Sequence, residues 1–179
     1  MGTLVHKANT VWHKRSLQVF MVIVIAHWIE HLVQAYQVYV LGWPRHMSHG
    51  ALGSQYPWLV SSELLHFAYA VLMFAGLLLL QYGFAGRSYG WWRASLYLQG
   101  WHLFEHSLLF VQAISHAYLF GADAPTSIIQ LLMPRIELHL FYNSVVFVPM
   151  VIGMYYHARP PKSDIGKSNC TCCALQSAN

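Results

Sequence analysis

The sequence predicts an all-α integral membrane protein: an antiparallel four-helix transmembrane bundle in which one helix pair is used twice, about a pseudo-twofold axis. Three observations carry that expectation. First, 56% of the 179 residues are hydrophobic and only 9% charged, where a soluble domain carries about 25% charged residues. Second, four stretches reach the roughly 20 predominantly apolar residues that a helix needs to cross a bilayer. Third, the word His27-Trp28-Ile29-Glu30-His31 returns 75 residues later as His102-Leu103-Phe104-Glu105-His106.

The elements follow in order. The transmembrane domain is expected over residues 1–158, with spans at about 17–41, 58–82, 91–120 and 127–156. Lys7, Lys14 and Arg15 precede a first apolar run too long for a signal h-region, so that run reads as a span. Gly, Pro and Tyr-rich breakers from Gly42 to Pro57, from Gly83 to Gly90 and from Gly121 to Pro125 separate the spans. Pro134 interrupts the early part of the fourth. Beyond Arg159-Pro160-Pro161 the composition turns polar, and residues 159–179 read as a disordered tail. All three cysteines, Cys170, Cys172 and Cys173, lie in it, so no disulfide framework organises the body. In a cytoplasmic tail they are expected to stay reduced, able to hold a soft metal transiently.

Charge sets the topology. Eight of the ten basic residues fall in the N-terminal segment, the loop after span two and the tail. Arg45 stands alone on the other side, and Arg135 lies within span four. An excess of Lys and Arg marks the cytoplasmic side, so both termini are expected there. The partners implied are the lipid bilayer and other membrane subunits, with no nucleic acid. The net charge of +4 belongs to loops at a membrane surface rather than to a nucleic-acid footprint.

The ionisable residues inside the spans carry the functional signal. Glu30, Glu63, Glu105 and Glu137 occupy one span each, accompanied by His27, His31, His66, His102, His106 and His139. Counted from the non-cytoplasmic ends, the histidines lie roughly 12 to 21 Å deep, in one layer. A carboxylate at a helix centre costs about 2.5–3.5 kcal/mol on insertion scales, so four of them require compensation. Two divalent metal ions would balance the charge, with neutral imidazoles completing the coordination. The candidate metal ligands are therefore these four glutamates and six histidines.

Spacing supports one site. His27, Glu30 and His31 share one helix face, as do His102, Glu105 and His106, and Glu63 and His66. Gln37 and Gln112 repeat at the same 75-residue offset, and Glu63 and Glu137 at 74. Glu137 and His139, two apart, point about 200° from each other in a regular helix, so either Pro134 distorts the turn or one of them is not a ligand.

Mixed carboxylate and imidazole ligation favours iron or manganese, with zinc also compatible. Haem b, held by two facing histidines, is the alternative cofactor. The function expected is a redox-active oxidoreductase acting on a lipid-soluble substrate or oxygen. The same residues would also serve a non-catalytic metal- or haem-binding subunit of a larger membrane complex, or a proton or metal-ion carrier, so the sequence does not decide whether the chain is an enzyme. His46-Met47-Ser48-His49 in the outer loop is a further group with ligand chemistry.

Overall fold

A computed structural model describes residues 2–168 and 170. Among these the chain is all-helical, with no strand. Short helix α1 (Thr3–Asn9) precedes α2 (His13–Tyr39); α3 (Gly50–Gln55) and α4 (Trp58–Ser61) lie in the loop before α5 (Glu63–Leu80). Helices α6 (Gly86–Ser115) and α7 (Arg135–Ala158) complete the set. Single 3-10 turns occur at Arg45–Met47, Gln81–Gly83, Leu119–Gly121, Ile129–Leu131 and Lys162–Asp164.

Three helices are long and apolar enough to cross a membrane: His13–Tyr39, Glu63–Gly83 and Arg135–Ala158. The 30-residue α6 is as long but is not among them. Arg87, Arg93, Gln99, His102, Glu105, His106 and Gln112 lower its hydropathy. Large apolar side chains stand exposed along the long helices, among them Val19, Val22, Leu78, Val111 and Val148. Apolar patches of that extent need a nonaqueous neighbour.

Helix boundaries shift from the expected ones for local reasons. Ser62 has an extended ψ of 109°, which separates α4 from α5, and its hydroxyl accepts the Leu65 N–H. Helix α6 stops at Ser115 because His116 turns into the left-handed region at φ 54°. The fourth span was expected from about residue 127, but α7 starts only at Arg135. Pro134 therefore precedes the helix and does not kink it. The proline inside α7 is Pro149.

The chain divides into two compact units, and each long helix contributes to both. One comprises the described residues of Met1–Val24, Met73–Gln99 and Val145–Asn179. Trp92, Leu77 and Met150 are its fully buried centre. The Trp92 indole stacks on Phe84 with centroids 4.2 Å apart and donates to the Leu77 carbonyl at 2.8 Å. Gly76 permits close approach, since a Cβ there would lie 2.3 Å from the Phe20 ring. The Ser95 hydroxyl donates to the Val146 carbonyl at 2.7 Å, in the turn that Pro149 loosens.

The start of the tail is held against this unit. Asp164 accepts the Arg87 N–H at 2.9 Å and pairs with Lys167, while Ser168 donates to the Gly83 carbonyl. Cys170 is disulfide-bonded and so is not the free thiol expected of it; its sulfur lies 3.4 Å from His157 Nε2. Cys172, Cys173 and the rest of residues 171–179, read from sequence as disordered, lie outside the described residues.

The other unit comprises Ile25–Leu72 and Gly100–Ser144. It holds all ten candidate ligands.

Candidate metal centre

Six imidazoles gather in this second unit. On α2 the Nε2 atoms of His27 and His31 are 3.1 Å apart, and on α6 those of His102 and His106 are 3.0 Å apart. Both separations follow from i, i+4 spacing, which stacks side chains on one helix face. Helix α5 supplies His66 and α7 supplies His139. The His139 ring lies 4.8 Å from that of His31, 5.5 Å from His106, 5.7 Å from His66 and 6.1 Å from His102. His139 thus joins histidines from the other three long helices.

Hydrogen bonds fix how several rings point. A backbone carbonyl only accepts, so His139 must donate Nδ1–H to the Arg135 carbonyl at 2.7 Å, and His66 its own to the Ser62 carbonyl at 2.9 Å. His31 Nδ1 meets Gln34 Oε1 at 2.7 Å in the same sense. In His66 and His139 this leaves Nε2 as the acceptor, whereas His31 Nε2 is already engaged with His27 Nε2. His139 Nε2 and His106 Nδ1 are buried with no hydrogen-bond partner. Tyr69 stacks on His27 at 3.7 Å and Tyr142 on His102 at 4.3 Å, walling the cluster with aromatic faces.

The donor set meets three conditions for a metal. His102, His106 and His139 are all buried, and their nearest ring nitrogens lie within 4.8 Å of one another. Metal-binding histidines characteristically donate their second ring nitrogen to a carbonyl or carboxylate, as His66 and His139 do here. Two nitrogens 3.0 Å apart, each about 2.0–2.1 Å from a shared ion, subtend roughly 95° at it, an ordinary coordination angle. The three buried histidines can therefore hold a metal ion.

The four glutamates, expected among the ligands, each have protein partners. Glu30 accepts the N–H groups of Ala51, Leu52 and Gly53 at 2.9 to 3.1 Å. Glu105 accepts the Ser127 hydroxyl and the Ile129 N–H, both at 3.0 Å. Glu63 forms a two-pronged pair with Arg135, whose Nη2 lies 2.9 Å from Oε2. Glu137 takes Arg45 at 2.6 Å and the Tyr39 hydroxyl. The compensation that sequence reasoning assigned to metal ions is supplied to these carboxylates by two guanidinium groups and loop donors. Of Glu137 and His139, which a regular helix sends opposite ways, it is His139 that joins the imidazoles.

The roles of several residues escaped sequence reading. Gln37 clasps the loop backbone through both amide atoms, accepting the Gly50 N–H and donating to its carbonyl. Gln112 does the same with Thr126. Arg45 and Arg135 had a legible signal: they were the two basic residues on the glutamate-bearing side. Tyr69 and Tyr142 each lie three residues after a candidate ligand histidine, on the same face.

Two cavities reach the imidazoles. One, of about 430 Å³, extends from His46 and His49 in the outer loop to His31, His66 and His139, with Arg45 and Arg135 in its wall. The other, of about 230 Å³, is flanked by Ala26, Leu52, Leu59, Val60 and Leu65 and reaches His27, His31 and His66. No family model matches the sequence, and no curated protein or solved structure is similar to it.

Proposed function

We propose that this chain is a multi-pass membrane metalloprotein that binds divalent transition metal in the imidazole cluster of its second unit. The observation that carries the proposal is the buried, unpartnered Nε2 of His139, aimed among the rings of three other helices with its Nδ1–H tied to a carbonyl. An orphaned buried acceptor costs about 1–3 kcal/mol, which a bound ion would offset. Two i, i+4 pairs supply enough donors for a dinuclear centre. An all-imidazole set suits zinc, iron, copper or nickel better than manganese, which favours oxygen ligands. Haem is disfavoured, because rings 4.6 to 6.1 Å apart leave no slot for a macrocycle between them.

The architecture assigned to this function is a four-helix antiparallel bundle made of a repeated helix pair, with both termini cytoplasmic. Paired details support the repeat. Glu30 and Glu105 each hold the loop that follows their helix, and Gln37 and Gln112 each clasp it. His66 and His139 each donate to the carbonyl four residues earlier. In the last helix of each pair the histidines are 73 apart, so His66 and His139 correspond while Glu63 and Glu137 do not. The positive-inside distribution supports the orientation.

The activity we attach to the site is redox chemistry on oxygen or a lipid-soluble substrate. Its support is an apolar cavity opening beside ligands suited to iron or copper. The larger cavity, lined by loop histidines, favours ion passage as a second reading. Metal analysis of the full chain purified in detergent tests the proposal. One to two equivalents of zinc, iron or copper are expected, reduced at least tenfold in His106→Gln/His139→Gln. A folded, metal-free protein that takes up none of these ions would overturn it, and a Soret band would establish haem instead.

A further inference from the structure

A second group of ligand side chains lies in the first compact unit. His13 opens α2, His157 stands in the last turn of α7, and Cys170 follows the docked start of the tail. All three are buried, with 0, 7 and 2% exposure. The Ser168 hydroxyl donates to the Gly83 carbonyl at 2.8 Å, and a Cβ at Gly83 would fall 2.2 to 2.5 Å from three ring atoms of His13. The same glycine therefore abuts both the tail and the His13 ring. Phe84 packs on both imidazoles, 5.3 Å from His13 and 4.7 Å from His157, and the two imidazoles meet edge to face with centroids 5.0 Å apart.

The donor atoms have metal-ligand geometry. His157 Nε2 lies 3.4 Å from Cys170 Sγ. At about 2.3 Å and 2.0–2.1 Å from a shared zinc ion, that sulfur and nitrogen would subtend roughly 100–105°, near the tetrahedral angle. His13 Nδ1 faces the Ala8 carbonyl at 3.3 Å, so it donates and Nε2 keeps the lone pair. That Nε2 is buried with no hydrogen-bond partner. A histidine tied to a carbonyl through one nitrogen, with the other spare, follows the pattern of metal-binding histidines. What withholds the set is the oxidation state of sulfur: Cys170 is in a disulfide, and the thiolate is the form that ligates metal. Cys172 and Cys173 bring further thiols within three residues of it in sequence.

We propose that His13, His157 and Cys170 form a redox-gated zinc site, closed while Cys170 is oxidised and opened by a dithiol reductant. This site is independent of the imidazole cluster. On opening, the S–S bond breaks and each of its sulfurs gains one electron and one proton. The dithiol loses two of each and closes to a disulfide. Zinc then replaces the Cys170 thiol proton, which leaves to solvent. The thiolate offsets part of the ion's charge, and sulfur with imidazole nitrogen selects zinc over magnesium or calcium. On the cytoplasmic side proposed for the tail, thiols are held reduced, so the open form is the resting one and oxidation expels the ion.

Cobalt(II) is the probe, because a thiolate bound to it gives a near-ultraviolet charge-transfer band that an all-imidazole site lacks. The full chain in detergent is titrated with cobalt as the disulfide, and again after reduction with a phosphine, which adds no competing thiol. The band is expected only after reduction, saturating at about one equivalent, and zinc should bleach it. Cys170→Ser should abolish it. His157→Gln and His13→Gln should each weaken cobalt binding at the band at least tenfold, while His106→Gln/His139→Gln should leave it unchanged. Cys170→Ser, lying in the tail, keeps the test decisive if a histidine variant does not fold. An equal band before reduction, no band after it, or undiminished binding in Cys170→Ser or in the folded histidine variants overturns the inference. None of these outcomes touches the imidazole cluster.

Discussion

Glu30 shows how a carboxylate can sit one residue from a candidate ligand histidine and serve another purpose. Its two oxygens accept three consecutive loop N–H groups, and Gly50 makes room for them. Gly50 holds φ at +81°, and a Cβ at this position would fall 2.4 Å from Glu30 Oε1. Glu30→Ala should therefore cost about 1–2 kcal/mol, the loss of a carboxylate that caps the first N–H groups of α3, of which only that of Gly53 is part-buried. It should leave zinc stoichiometry unchanged. Unfolding in mixed micelles measures the first and metal analysis the second; loss of metal in folded Glu30→Ala would return the carboxylate to the ligand set.

The histidines were legible in the sequence because i, i+4 spacing fixes a shared face whatever the surroundings. The carboxylate roles were not, because they depend on chain distant in sequence. Arg135 reaches Glu63 across 72 residues, and Arg45 reaches Glu137 across 92. Charge counting registered that the glutamates needed partners without showing that the two outer-side arginines and the loop amides would provide them.

Among the helices, α7 differs most from its sequence outline. Pro134 marks its start and Pro149 interrupts its interior, where the missing N–H and the ring weaken one turn. Ser95 of α6 donates into that turn at the Val146 carbonyl, and its side chain is fully buried. The carbonyl that Pro149 leaves without its helix donor is that of Val145, so the Ser95 hydroxyl adds a second donor to the neighbouring Val146 carbonyl rather than replacing the lost bond. Ser95→Ala should lower stability by about 1–2 kcal/mol, read from denaturant unfolding, since the carbonyl would lose a donor without gaining water. An unchanged midpoint would show that this hydrogen bond contributes nothing to stability. Sequence reading also merged α4 with α5 and passed over α3, since the polar Ser61-Ser62-Glu63 interrupts the apolar stretch from Trp58 too briefly to mark a boundary. Only the extended backbone at Ser62 reveals the joint.

For the molecule as a whole, the all-helical character and the long apolar helices were legible in composition, because crossing a bilayer demands length and hydropathy together; of the four spans expected, three meet that demand among the described residues. The ordered start of the tail was not legible, since Lys162 to Ser168 is polar and lacks periodicity. Its attachment depends on Asp164, whose carboxyl is held below the ordinary carboxylate range by the Arg87 N–H and by Lys167. A depressed carboxylate contributes above its unfolded value and is lost as pH falls through the folded one. The tail should thus stay docked at neutral pH and loosen in acid, below about pH 4. Amide exchange at Arg87, corrected for intrinsic rate, should accelerate there in the unmutated chain and at neutral pH in Asp164→Asn. Identical protection at pH 3 and 7 would show the contact to be dispensable.

The engagement of all four glutamates with protein donors has an electrical consequence. Glu63 and Glu137 are balanced by Arg135 and Arg45, but Glu30 and Glu105 accept only neutral donors, so two carboxylates beside the histidines offset only part of the charge that an entering ion would bring. A change of oxidation state there would have to be matched by a counter-ion or proton arriving from outside. On the metal-binding reading proposed above, the 430 Å³ cavity with Arg45 and Arg135 in its wall is the route such a charge would take, and the electroneutrality of the cluster would then be shared with what lies beyond it.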